Sequence, residues 1–213
     1  MTAGAFLISV AFLLFAGLAN EVISAAPITV FDLHAINWMR AHSTPGLTSL
    51  MLLITHIHST PGLLVLALLT CVWLFRQKEW YWVVAVVATV PVGMTINALL
   101  KLMFQRARPV FEQPVLTLTT YSFPSGHAAG ATLFYGVLAA YLFCRITSWR
   151  LRILIILLAT AQVAAVCLSR VYLGVHYPTD VLAGIVEGVA WLTVILTVIA
   201  TLRRWRMLRA SAG

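Results

Sequence analysis

Long runs of apolar residues dominate this sequence, and most of its polar residues stand at the ends of those runs. A helix needs about 20 apolar residues to cross the hydrocarbon core of a bilayer. The pattern therefore predicts an all-α protein built as a bundle of six transmembrane helices. The predicted spans are Ala5–Leu18, a second span that ends at Phe75, and then Trp80–Leu100, Ala128–Phe143, Ile153–Leu168 and Val181–Leu202.

The second span is interrupted in its middle. Leu47–Ile57 forms a short apolar helix, Thr60-Pro61-Gly62 breaks it, and the run Leu63–Phe75 that follows is short for a complete span. The span therefore either begins before the break or crosses the membrane obliquely, and the sequence leaves this boundary open.

Two segments near the N-terminus need separate interpretations. The small residues Ser24-Ala25-Ala26 could end a signal peptide, but no Lys or Arg precedes the first apolar run, so we expect a retained helix. Residues 28–42 alternate apolar and polar side chains and are too polar to span. We expect them to lie at the membrane interface, with Trp38 at the depth of the headgroups.

Composition excludes an ordinary soluble domain. Only 9% of the 213 residues are charged and the mean hydropathy is +0.97, whereas soluble domains carry about 25% charged residues. We expect one integral membrane domain over residues 1–213. The net charge of +8 resides mainly at the ends of apolar runs, so we expect a bilayer and no nucleic acid as partner. Three cysteines without a C-x-x-C pattern indicate neither a disulfide framework nor a zinc site.

The positions of Lys and Arg predict an orientation. With a cytoplasmic N-terminus, nine of these cations lie at inner ends of spans and five at outer ends, which favours cytoplasmic N- and C-termini. The five outer cations are Arg40, Lys101, Arg106, Arg108 and Arg170. Most of the polar chemistry then falls on the periplasmic or extracellular side of a plasma (inner) membrane.

Three polar clusters lie between Lys101 and Asp180. The first contains Lys101 and Arg108, which are separated by six residues. Cations of this kind hold phosphate oxygens, and an arginine does so with a bidentate fork. The alternative is a pair of charges that extend from the membrane interface toward the headgroups.

The second cluster, Pro124-Ser125-Gly126-His127, stands where a loop enters a helix. Free N–H groups at a helix start, with the hydroxyl of Ser125 and the small Gly126, could hold an anion. His127 would serve as general acid, because an imidazole titrates near neutral pH. A capped helix start with an incidental histidine is the alternative.

The third cluster places His176 four residues before Asp180, and Arg170 precedes both. A carboxylate at this spacing can accept a proton from one imidazole nitrogen, so that the other nitrogen attacks phosphorus. Taken alone, the pair could equally be a structural hydrogen bond.

Together the clusters resemble the three motifs of the type 2 phosphatidic acid phosphatase (PAP2) and haloperoxidase superfamily. The motifs appear in order and without substitution across about 80 residues. They read Lys101-x6-Arg108-Pro109, Pro124-Ser125-Gly126-His127 and Ser169-Arg170-x5-His176-x3-Asp180. Six spans fit the membrane branch of the superfamily, whereas its vanadate-dependent haloperoxidases are soluble.

The resemblance implies a role for each motif residue. His176 would be the nucleophile that forms a phosphohistidine, Asp180 would orient it, and His127 would protonate the leaving oxygen. The residues expected to bind the phosphoryl group are Lys101, Arg108, Ser125, Gly126 and Arg170. No metal and no other cofactor is implied, because the cations would stabilise the transition-state charge.

The expected activity is removal of phosphate from a lipid phosphate or diphosphate at the outer leaflet. The resemblance favours undecaprenyl diphosphate, with phosphatidylglycerophosphate or phosphatidic acid as alternatives. A lipid phosphotransferase and a non-catalytic lipid-binding or transport protein are further alternatives. The residues from Arg106 to Thr120 and the grooves between helices would supply specificity. The oligomeric state is not indicated by the sequence.

Three polar residues inside the spans are spaced helically from motif residues. Asn97 precedes Lys101 by four residues, Gln162 precedes Ser169 by seven, and Glu187 follows Asp180 by seven. We expect them to form a polar lining beneath the site, because buried polar residues in spans usually face the interior of the bundle. Simple hydrogen bonds between helices are the alternative.

Overall fold

The computed structural model describes residues 2–24 and 28–210, which form eight α-helices and no strand. Ala25 and Ala26, from the possible cleavage site, lie outside the described residues. The helices are α1 (Thr2–Ile23), α2 (Ile28–Ala41), α3 (Pro45–Ile57), α4 (Thr60–Arg76), α5 (Trp80–Phe104), α6 (Gly126–Arg145), α7 (Trp149–Tyr172) and α8 (Pro178–Ala210).

The helical bundle confirms the six-span prediction. Within the described part of the chain, α1 and α5 to α8 are each long and apolar enough to cross a membrane. Helices α3 and α4 pass the same test as one unit that bends by 55°. Ser59 caps the start of α4 by accepting a hydrogen bond from the N–H of Gly62. Counted as one span, this bent pair begins before the break, at Pro45.

Helix α2 is amphipathic, as the alternating pattern predicts, but its polar side faces protein as well as solvent. Asp32 and Ile36 are buried against the bundle, where α2 packs on α7 and α8. Phe31, Leu33 and Trp38 are exposed on the opposite side. The helix thus presents apolar side chains outward and a carboxylate inward.

Helix α6 occupies the centre of the bundle, where it packs against α5, α7 and α8. Small side chains on α6 permit this close packing, because they let neighbouring backbones approach. Its buried residues include Ala128, Ala129, Gly130 and Ala131. Helix α1 packs mainly on α8, and its Phe15 contacts the rings of Phe104 and Phe123.

Two glycines one helical turn apart bring α8 against the start of α6. A Cβ atom at Gly184 would lie 2.5 Å from the backbone oxygen of Ser125, and one at Gly188 would lie 2.8 Å from Thr132 Cβ. The Ser125 N–H donates to the Asp180 backbone oxygen at 2.9 Å. The glycines therefore set the distance between the second and third polar clusters.

We expect Gly184→Ala to lower activity by about tenfold or more, because a displacement near 1 Å at a reacting centre is costly. The added methyl meets backbone atoms, which cannot rotate away as a side chain would. Phosphate release and the Tm in detergent would measure the effect. Gly17→Ala in α1 is the control, since a Cβ there meets nothing within 4 Å. Wild-type activity in Gly184→Ala would contradict this account of the helix contact.

Candidate active site

The three polar clusters meet around one cavity of about 340 Å³. The end of α5, the loop after it, the start of α6 and the end of α7 all contribute to its wall. Six of the eight predicted residues line the cavity: Lys101, Arg108, Gly126, His127, Arg170 and His176. Ser125 and Asp180 are buried just behind this wall.

A tight turn after α7 carries His176 to the cavity. Gly174 has a φ of +69°, a left-handed conformation that favours glycine. The backbone oxygen of Arg170 accepts from the N–H groups of Val175 and His176 at 3.2 and 3.3 Å. A Cβ at Gly174 would lie 2.8 Å from the Phe111 ring, so close packing also requires glycine.

The hydrogen bonds of His176 define its tautomer. Nε2 lies 3.1 Å from Nη1 of Arg108, and a guanidinium only donates, so Nε2 accepts. Nδ1 therefore carries the proton and faces Asp180 Oδ2 at 3.3 Å. The electron pair of Nε2 therefore accepts from Arg108, which also lines the cavity, and an unprotonated Nε2 is what a nucleophile needs.

The protonation state of His176 suits the same role. Burial lowers the pKa of its imidazole to about 3, although the hydrogen bond to Asp180 opposes this shift. The ring is therefore neutral at neutral pH, and the electron pair of Nε2 stays unprotonated.

Asp180 is held by more groups than the spacing to His176 predicts. Oδ1 accepts from Arg106 Nη1 at 2.6 Å, while Oδ2 accepts from the Tyr177 N–H at 2.9 Å and from the Ser122 hydroxyl. Neither Arg106 nor Ser122 belongs to the three sequence motifs. Arg106 is one of the five outer cations.

Three cations face the cavity without a carboxylate within salt-bridge distance among the described residues: Lys101, Arg108 and Arg170. Lys101 Nζ donates to the Tyr121 carbonyl at 2.8 Å, and Arg108 Nε donates to the Thr120 carbonyl at 2.7 Å. Burial lowers the pKa of Arg108, but a guanidinium stays charged at neutral pH.

Arg170 is 2% exposed and donates through Nη1 to Thr55 in α3. The cavity is therefore strongly positive, and an anion would compensate its charge.

Unsatisfied polar atoms at the cavity point to the same kind of ligand. Four buried side-chain atoms in the described part of the chain lack a hydrogen-bond partner. Two of them belong to the predicted phosphate-binding set, namely Ser125 Oγ and Arg170 Nε. Ser125 also precedes α6, whose first N–H groups and dipole favour negative charge. These donors are available to a bound anion.

Of the three residues predicted to line the site from below, the structure places Asn97 on the cavity wall, while Glu187 pairs with it in the hydrogen bond between helices that was the alternative. Asn97 Nδ2 donates to Glu187 Oε2 at 2.7 Å, and both side chains are buried. The prediction for Gln162 is wrong: this residue is exposed, in a groove between α6 and α7. The buried residues of α7 all lie between Val166 and Tyr172. Gln162 precedes them, so its helical spacing from Ser169 does not make it buried.

The remaining histidines lie apart from the cavity. His58 Nε2 lies 2.7 Å from the Tyr135 hydroxyl, and His56 is exposed with Nδ1 against the Leu52 carbonyl. Within residues 2–24 and 28–210, no group of three or more His, Cys, Asp or Glu side chains could hold a metal ion.

The chain is similar in sequence to known membrane phosphatases. Phosphatidylglycerophosphatase B of Bacillus subtilis (strain 168) is 29% identical over 171 residues, which cover 80% of this chain and 78% of that protein. A decaprenylphosphoryl-5-phosphoribose phosphatase of Mycobacterium tuberculosis is 34% identical over 118 residues, or 53% of this chain and 57% of that protein.

A solved structure shares the architecture. The crystal structure of a transmembrane PAP2-type phosphatidylglycerolphosphate phosphatase from Bacillus subtilis superimposes with a TM-score of 0.83 at 28% identity. The match covers 91% of this chain and 96% of that one. This likeness identifies the chain as a multi-pass membrane protein. The model of the PAP2 superfamily matches residues 79–204, more than half of the sequence, and the chain therefore belongs to the PAP2 superfamily.

Proposed function

We propose that this protein is a lipid phosphatase that cleaves phosphate from a membrane lipid through a phosphohistidine on His176. One observation carries the proposal: a neutral imidazole, oriented by Asp180, meets a cavity whose cations have no carboxylate partner among the described residues. Such an arrangement combines a nucleophile with fixed positive charge for a phosphoryl group.

In the first step the phosphoryl group occupies the cavity. Lys101, Arg108 and Arg170 bind its oxygens, together with the Ser125 hydroxyl and the N–H groups that begin α6. Arg108 transfers its hydrogen bond from Nε2 of His176 to a phosphoryl oxygen. Nε2 then forms a bond to phosphorus while the bond from phosphorus to the lipid oxygen breaks.

His127, on the cavity wall, takes up a proton when the negative charge of the bound phosphoryl group favours the imidazolium form, and it donates that proton to the departing lipid oxygen. In the second step the resulting neutral ring accepts a proton from water, whose oxygen attacks phosphorus. The bond to Nε2 breaks and phosphate leaves. Asp180 stabilises the positive charge that develops on His176 in the first step. The three cations supply the charge that a metal supplies in other phosphatases, so we propose a metal-independent reaction.

Phosphatidylglycerophosphate is the substrate that the comparisons favour. A phosphatidylglycerophosphatase B aligns over 80% of this chain, whereas undecaprenyl diphosphate rests on the motif resemblance alone. Both lipids present a terminal phosphate that fits the same cavity chemistry. We therefore place phosphatidylglycerophosphate first and keep undecaprenyl diphosphate and phosphatidic acid as test substrates.

We also propose that the site faces the outer leaflet of the plasma (inner) membrane. Nine cations at the inner ends of spans against five at the outer ends support this orientation. Four of those five lie in or behind the site, namely Lys101, Arg106, Arg108 and Arg170, so the site itself explains most of the outer charge.

Release of free phosphate from purified protein in detergent tests the function and its metal independence together. The assay compares phosphatidylglycerophosphate, undecaprenyl diphosphate and phosphatidic acid, with and without EDTA. We expect release that EDTA does not reduce, and fastest release from phosphatidylglycerophosphate. Inhibition by EDTA that added Mg²⁺ restores would contradict the metal-independent mechanism.

Two other outcomes favour the alternative activities. Loss of lipid phosphate without free phosphate would indicate a phosphotransferase. No reaction with any lipid, in protein shown to be folded, would favour a lipid-binding protein.

A further inference from the structure

Arg106 bridges two buried carboxylates from distant parts of the chain. Its Nη1 lies 2.6 Å from Asp180 Oδ1, and its Nη2 lies 2.8 Å from Asp32 Oδ2. Both aspartate side chains are 0% exposed, and that of Arg106 is 13% exposed. Burial acts to lower the pKa of Arg106, but the carboxylates outweigh it and raise that pKa, so the guanidinium stays charged. The Tyr177 ring packs on the same guanidinium, 4.1 Å from its Cζ.

Asp32 is also tied to the start of α8. Its Oδ1 accepts from the Thr179 N–H at 3.0 Å, and its Oδ2 accepts from the Thr179 hydroxyl at 2.5 Å. The first N–H groups of a helix lack partners within that helix, so Asp32 caps α8 from a different element. Helix α2, which precedes all three motifs, thereby reaches the backbone next to Asp180.

The two oxygens of Asp180 have different partners. Arg106 binds Oδ1, while Oδ2 accepts from the Tyr177 N–H and Ser122 and faces His176 Nδ1. This division matters because His176 needs one carboxylate oxygen for its Nδ1 proton. A guanidinium prefers to bind both oxygens of one carboxylate through parallel hydrogen bonds. Something must therefore restrain Arg106 from taking Oδ2 as well.

We propose that Asp32 and Arg106 act as a positioning pair for the catalytic carboxylate. Asp32 occupies one arm of the guanidinium, so that only the other arm reaches Asp180 and Oδ2 remains with His176. The inference rests on the proposed function, in which His176 is the nucleophile. Neither residue is among the described residues that line the cavity, so both act through Asp180 and not on the substrate.

A purely structural role is the competing explanation, since the same contacts fasten α2 to α8. The two explanations differ in what they predict for the folded protein. A fastening role changes the fraction of folded molecules, and a positioning role changes the rate of each folded molecule. Turnover therefore has to be measured beside substrate affinity and stability.

Asp32→Asn is the informative variant, because asparagine keeps an oxygen for the Thr179 N–H but loses the charge that holds Arg106. We expect kcat to fall by about tenfold to a hundredfold with KM changed less than about threefold, the pattern of a lost transition-state interaction. Inorganic phosphate should inhibit the variant as strongly as wild type, because Lys101, Arg108 and Arg170 are untouched. Glu79→Gln, which removes the partly exposed ion pair with Arg145, is the control and should leave kcat unchanged.

Arg106→Lys gives a second test should Asp32→Asn fail to fold. Lysine keeps a positive charge between the carboxylates but cannot bridge them as a planar fork, so the same loss of kcat is expected. Unchanged kcat in either folded variant would overturn the inference. The inference would also be overturned if activity fell only in proportion to the amount of folded protein. It would be overturned as well if inorganic phosphate inhibited the variant more weakly while kcat stayed unchanged.

Thermal unfolding adds a readout that does not need activity. If Arg106 couples the two carboxylates, the decreases in Tm caused by Asp32→Asn and Asp180→Asn should not add in the double variant. Additive decreases would overturn the coupling. A wild-type protein that releases no phosphate would instead refute the proposed function, and the Tm comparison would still decide whether the carboxylates are coupled.

Discussion

His176→Ala is expected to reduce phosphate release by at least about 10⁴-fold, because removal of the proposed nucleophile eliminates the covalent pathway. The cavity and its cations remain, so substrate should still bind. Initial rates with saturating lipid would measure the loss. In wild type, rapid quenching with labelled substrate should trap phosphate on the protein, in a bond that is stable to base and labile to acid, and the variant should trap none.

A second buried histidine provides the matched control. His58 is 5% exposed, contacts Tyr135 and is not among the described residues that line the cavity. His58→Ala removes the same side chain from a similarly buried position, so it should cost stability while leaving the rate per folded molecule unchanged. Equal losses of rate in the two variants would show that the effect of His176→Ala is general damage to the fold.

Arg170→Lys is expected to lower kcat/KM by about 10² to 10³, the usual cost of removing one donor from a preorganised oxyanion site. The substitution keeps the charge, but lysine has no Nε donor beside a planar fork. Arg170 Nε is buried and unpartnered, which makes it available to a phosphoryl oxygen. Inorganic phosphate should also inhibit the variant more weakly than wild type.

Arg145→Lys is the control for this exchange of cation. Arg145 is 59% exposed and lies at the end of α6, opposite the site that begins the helix. Its replacement should leave kcat/KM and phosphate inhibition unchanged. Full activity in Arg170→Lys would mean that only the charge at this position matters, and that the fork contributes nothing to binding phosphate.

The sequence predicts the spans and the motif residues because both depend on local patterns. Apolar runs fix the spans, and the spacing from His176 to Asp180 fixes that contact within one turn at the start of a helix. The helices extend several residues beyond the predicted spans. Helix α8, for example, begins at Pro178, whereas the predicted span begins at Val181.

Contacts between helices that are distant in sequence cannot be predicted from such local patterns. Asp32 stands in an amphipathic segment, and the pattern shows a polar face without showing what that face meets. Its partner Arg106 is 74 residues away in sequence. The sequence offers one indication of this contact, which is the acidic residue Asp32 in a segment otherwise suited to the membrane interface. The prediction for Gln162 is wrong for a different reason. A helix face that is buried near one end of the helix need not stay buried along its whole length.

The contact between Arg108 and Nε2 of His176 has a consequence for timing. Before substrate arrives, the reactive electron pair is occupied by a donor on the protein itself, at 3.1 Å. Only a ligand with enough negative charge to attract the guanidinium uncovers that nitrogen. A dephosphorylated lipid has no such charge, so the lipid product would leave the guanidinium of Arg108 on Nε2. In the proposed mechanism, Arg108 therefore has two roles: it binds the phosphoryl group of the substrate, and it covers Nε2 of His176 until that group arrives.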